Sequence, residues 1–76
     1  MLTEKQVEQF CFDVLGDFVD PKDDVMIDEV RGEFRVIVRR TRGIPTDIIR
    51  DEWNRNAKGT DFEKVSLWMW GTYYDD

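Results

Sequence analysis

Histidine is missing from this 76-residue sequence altogether. Its absence removes the commonest general base and the commonest zinc ligand together. Cysteine occurs once, at Cys11, so no disulfide can close within the chain and a structural zinc site lacks its ligands. A reducing, cytoplasmic setting is the expectation. Long apolar runs are lacking too: none approaches the ~20 residues that span a bilayer. No stretch with the pattern of a signal peptide precedes the first apolar stripe. There is no Gly-rich phosphate loop, no nucleophile with a base at hand and no metal-ligand cluster. Carboxylates abound, but a general acid or base needs a pocket that shifts its pKa, and a chain this short promises none. A non-enzymatic protein without cofactor or metal is expected.

What the chain does carry is charge. It is 37% charged and 41% hydrophobic, too apolar for disorder and too charged for a membrane protein. One domain over residues 1–76 with one small core is expected. The net charge of −6 disfavours general affinity for nucleic acid. Its distribution is uneven. Residues 1–30 hold nine acids against two lysines, and residues 31–42 hold five arginines against one glutamate.

Periodicity gives the elements. Thr3 and Gln6 form a capping box, with Leu2 and Val7 placed for a hydrophobic staple. Val7, Phe10, Cys11, Val14, Leu15 and Phe18 then recur at helical spacing, and Pro21 stops the helix. Cys11 lies within that stripe and reads as a small core residue. Phe12 lies on the polar side, either a stray exposed aromatic or an anchor for a partner.

From Val25 to Thr41 the alternation is that of strands. With Arg31-Gly32 as a two-residue turn, Ile27 falls opposite Val36, Val25 opposite Val38 and Asp28 opposite Arg35. A second helix is predicted over Pro45 to Lys58, with Ile44, Ile48, Ile49, Trp53 and Ala57 buried and Gly59 as its C-terminal cap. A third strand is predicted from Phe62 to Trp70, and Tyr73 to Asp76 as a loose acidic tail. The fold expected is α+β in the order α-β-β-α-β, a three-stranded, mostly antiparallel sheet. Helix 1 covers one face, and helix 2 covers the other face or lies at the edge.

The third strand is heavy on both sides. Trp68 and Trp70, with Ile37 and Met26, either fill a core under helix 2 or form an exposed aromatic face flanked by Arg35 and Arg39. Core filling is the expectation for so small a protein, and the exposed face, a route to self-assembly, is the alternative.

Two charged segments are candidate sites. Asp13, Asp17, Asp20, Asp23, Asp24 and Asp28 gather around the end of the first helix, where the helix dipole disfavours anions. With Phe12 they are the candidate partner-binding residues, unless nearby arginines neutralise them. D-F-V-D-P-K-D-D lacks the spacing, central glycine and final glutamate of a calcium loop. Arg39, Arg40 and Arg42, ahead of a helix N-terminus, are the alternative: a phosphate- or nucleic-acid-binding loop, or a solvated one paired to the protein's own acids and of modest weight in the fold.

In size, acidity, lack of histidine and lack of catalytic motifs the chain resembles the small inhibitors encoded by phages and mobile elements, including anti-CRISPR and DNA-mimic proteins. The resemblance is one of type. It implies a protein partner with a basic, nucleic-acid-binding surface, bound by a monomer or homodimer with no role for a membrane.

Overall fold

The computed structural model describes residues 1–69. Helix α1 (Glu4–Leu15) starts as its capping box dictates: the Gln6 N–H donates to Thr3 Oγ1 (3.2 Å), and the Thr3 N–H donates to Gln6 Oε1 (2.8 Å). Its buried stripe is Val7, Cys11, Val14 and Leu15. Burial, followed by the nearby Glu8 charge, pushes the Cys11 thiol up to about 12, which keeps it protonated and unreactive. Phe12 is 47% exposed, on the opposite side from the stripe.

Strands β1 (Val25–Val30) and β2 (Glu33–Val38) form the expected hairpin. The register is the one the alternation requires, with Val25 opposite Val38, Ile27 opposite Val36 and Asp28 opposite Arg35. Both turn residues take positive φ, Arg31 at 55° and Gly32 at 81°, which matches the right-handed twist of the strands.

Helix α2 (Thr46–Ala57) and strand β3 (Ser66–Met69) complete the fold, joined by a 3-10 turn at Asp61–Lys64. The strand order is β1-β2-β3, with β2 antiparallel to β1 and parallel to β3. The sheet is therefore mixed, where a mostly antiparallel one was expected. Helix α2 accounts for the difference: it carries the chain back along the sheet, so β3 must run in the direction of β2.

The third strand is also shorter than predicted. Thr60 caps the 3-10 turn through its Oγ1, which accepts the Phe62 N–H at 3.1 Å. The turn places Phe62 among the helices, stacked on Phe10 with ring centroids 4.0 Å apart. Trp70 and the tail at 73–76 lie outside the described residues.

Both helices pack on one face of the sheet. Val7, Cys11, Val14 and Leu15 of α1 share a single core with Ile49, Trp53 and Ala57 of α2 and with Val36 and Val38 of β2. The expectation that α2 covers the second face, or only the edge, is thereby corrected. Ile48, predicted buried, is 47% exposed, because the stripe that meets the core runs through Ile49, Trp53 and Ala57. No helix among the described residues is long and apolar enough to cross a membrane.

Trp53 is the largest of the fully buried side chains, 2% exposed, with the Phe10 ring meeting it edge-on at 4.9 Å. Trp53→Ala should cost about 3–5 kcal/mol, because so large a cavity cannot collapse in a two-layer fold. Urea denaturation followed by far-UV circular dichroism measures it. A loss under about 1 kcal/mol would contradict the central place of Trp53.

Candidate functional site

The six candidate aspartates divide into three groups. Asp24 is fully buried. Its Oδ2 accepts from Arg42 Nε at 2.7 Å and its Oδ1 from an Arg42 terminal nitrogen at 3.1 Å, a side-on bidentate pair. Its backbone is engaged at both ends. The Asp24 N–H donates to the Asp20 carbonyl (2.8 Å), and the Asp24 carbonyl accepts from the Arg39 N–H (2.6 Å). Arg42 hydrogen bonding holds the Asp24 carboxyl below its ordinary value of 3.8, against the opposing push of burial. The Asp20 N–H and the Arg42 and Arg40 charges add to the depression.

Asp28 forms the second group. It lies on the uncovered face of the sheet, where Arg35 reaches it at 3.0 Å and the Glu29 N–H donates to it at 2.9 Å. Arg35 also stands 5.6 Å from the centre of the Trp68 ring.

Asp13, Asp17, Asp20 and Asp23 are the third group, all exposed. Asp13 accepts from Gln9 Nε2 at 3.0 Å, and Asp20 from the Lys22 N–H at 2.9 Å, which shapes the loop after α1 without using up the charge. The last turn of α1 holds no basic residue. Phe12, Asp17, Phe18, Asp20 and Pro21 line a shallow, open depression beside this end of the helix, and the Asp24–Arg42 pair lies in its lining. The surface is thus an acidic margin around partly exposed aromatic rings. Asp28 does not belong to it, and Asp24 enters it only as the buried carboxylate paired with Arg42.

The arginine loop also divides. Arg42 is taken up by Asp24, while Arg39 and Arg40 are exposed. Arg42 has φ of 52° and Gly43 of 87°, and the Ile44 N–H donates to the Thr41 carbonyl at 3.0 Å, closing a tight turn before α2. Three guanidiniums converging on one anion are therefore not assembled here. Arg42 is paired to one of the protein's own acids, as the solvated-loop expectation allows, but the carboxylate it meets is buried.

Sequence reasoning missed the Asp24–Arg42 pair. Its partners are 18 residues apart, and the only local sign was an Arg-Gly step ahead of a helix. Trp68, expected in a core, is 52% exposed on the uncovered face, because α2 joins α1 on the other side. Among the described residues no group of three or more Cys, Asp or Glu side chains is arranged to hold a metal ion.

Asp24→Asn and Arg42→Ala should each destabilise the fold, and Arg42→Ala the more, since it leaves a carboxylate buried without its cation. The double variant should lose less than the two singles together. The pH dependence carries a sign. The folded pKa of Asp24 lies below its unfolded value, so its stabilisation is complete above about pH 4 and is lost as pH falls through the depressed folded value. Urea midpoints measured across that range should fall less steeply in Asp24→Asn than in the wild type. Equal slopes would show that the pair is not formed in solution.

Comparison with known protein families, with curated proteins and with solved structures found no match, so the reading of the site rests on its own geometry.

Proposed function

We propose that this chain is a non-enzymatic acidic binding protein that occupies a basic, nucleic-acid-binding surface of a protein partner. The phage and mobile-element inhibitors are the class it resembles in kind. One observation carries the reading. Asp13, Asp17, Asp20 and Asp23 stay exposed, Asp17 and Asp20 line the open depression with Phe12, and Arg42 in the same lining makes its ion pair with the buried Asp24. Lys22 is the only base between positions 13 and 24. A helix end that gains nothing from anions keeps four of them exposed.

Opposite charge on a partner gives such a surface its use. It raises the rate of encounter and fixes orientation, and the partly exposed aromatic rings supply area to desolvate once contact is made. The carboxylates are grouped at one end of the molecule and do not run as a continuous row. The surface therefore suits a compact basic patch and not the length of a nucleic-acid groove.

The test is the triple variant Asp17→Asn, Asp20→Asn, Asp23→Asn, which spares Asp24. It should fold as well as the wild type or slightly better. Immobilised wild-type chain should capture its partner from host extract at low salt and release it as salt rises, with added nucleic acid competing. The triple variant should capture about tenfold less and show a flatter salt dependence. Equal capture by wild type and variant at low salt would overturn the proposal.

A further inference from the structure

Among the described residues, the packing of both helices on one face leaves the opposite face of the sheet uncovered. Cross-strand pairing fixes what stands on it. Met26, Ile37 and Trp68 form one row across all three strands, and Asp28, Arg35 and Ser66 form the next. Val30 and Glu33 form a third row beyond β3. Met26 is 36% exposed, Val30 41% and Trp68 52%. Half of the large hydrophobic side chains exposed among the described residues therefore lie on this one face.

The charge of the face differs from that of the rest of the chain. Asp28 and Glu33 are balanced by Arg35 and by Arg39, which continues the alternation just past β2. Among the described residues the face is neutral, while the acidic excess of residues 1–24 lies on the other parts of the fold. Two copies meeting through the helix layer or its acidic loops would bring like charges together. Through the bare face they would not, and an apolar row is its own complement. A basic partner gains no attraction from a neutral face, and a phosphate would have to displace Asp28 from Arg35.

We infer that the bare sheet face is the interface through which two copies of this chain associate, with the Met26–Ile37–Trp68 row at its centre. Arg35, 5.6 Å from the Trp68 ring centre and bonded to Asp28, holds the indole against the sheet and lowers the cost of ordering it. Three strands ~4.8 Å apart and up to six residues long present roughly 300 Å² before side-chain relief, less than the ~800 Å² per partner of a standard stable interface. The dimer is accordingly weak and reversible. It leaves the acidic end of α1 free, so the two surfaces can work independently.

Sedimentation of the purified chain from ~10 μM to ~1 mM tests the inference, with a monomer–dimer equilibrium expected in the upper part of that range. Added salt should tighten the dimer or leave it unchanged, because it screens repulsion between two acidic bodies. Trp68→Lys and Met26→Lys should each weaken association by about tenfold or more. Phe12→Lys, on the helix side, should not. Circular dichroism checks that each variant folds, and Met26→Lys decides the matter should Trp68→Lys fail to fold. A chain that stays monomeric throughout, or a dimer equally tight in both lysine variants, would overturn the inference. So would a single-stranded oligothymidine that binds the wild type, dissolves the dimer and fails to bind Trp68→Lys, since the face would then belong to nucleic acid.

Discussion

The ion pair between the buried Asp24 and the half-exposed Arg42 is the constraint on which the rest of the structure depends. A carboxylate removed from water is tolerated only when a cation and hydrogen bonds replace its hydration, and Arg42 supplies both through a side-on bidentate contact. Asp24 sits where three parts of the chain meet. Its N–H closes the loop that follows α1, its carbonyl extends the hairpin ladder to Arg39, and its carboxylate reaches the turn ahead of α2. Arg42 holds a left-handed backbone conformation in that turn, with φ of 52°, which a side chain-bearing residue adopts at a cost. Glycine would relieve the backbone there but could not hold the carboxylate. The guanidinium is the reason for arginine at this position, and the lone pairs of Asp24 are the reason the turn survives.

Fixing one arginine in this way determines what becomes of the other charges. The arginine loop neutralises the acidic exit of α1 only in part: Arg42 pairs with Asp24 and also feels the Asp20 and Asp23 charges, while Arg39 and Arg40 stay exposed. Asp28 and Arg35 satisfy each other on the sheet. What remains is a molecule with two unlike surfaces. One is acidic, set around aromatic rings at the end of a helix. The other is neutral, flat and crossed by an apolar row. The first is suited to a partner of opposite charge and the second to a like one.

Much of the fold was legible because it is local. The capping box at Thr3 and Gln6, the stripe of α1 and the hairpin register around Arg31-Gly32 are set by residues within a few positions of each other. The start of β3 was not legible. Val65, Leu67 and Met69 alternate with Ser66 and Trp68, and nothing in that pattern shows that Thr60 will cap a turn and send Phe62 to stack on Phe10. Nor could alternation reveal that β3 runs parallel to β2, since the pairing depends on where α2 lies. The candidate site was legible only as a charge count. That four of its aspartates are exposed, one is buried and one is paired on the sheet follows from contacts 7 and 18 residues away along the chain.

The exposure of Trp68 has the same non-local origin, and geometry makes it unavoidable. Two 12-residue helices are about 18 Å long and pack about 10 Å apart, which covers one face of a three-stranded sheet. Trp53, Phe10 and Phe62 form a connected aromatic group that ties the two helices together, so neither can move to the other face without opening the core. No further element among the described residues is available for that face. A sheet with one bare side ordinarily carries polar residues there. Here one full row of that side is methionine, isoleucine and tryptophan, and the charged residues beside it cancel. Stability does not require that composition: a threonine or lysine at position 68 would suit an exposed strand position as well. The apolar row is therefore better explained by contact with another molecule than by the folding of this one.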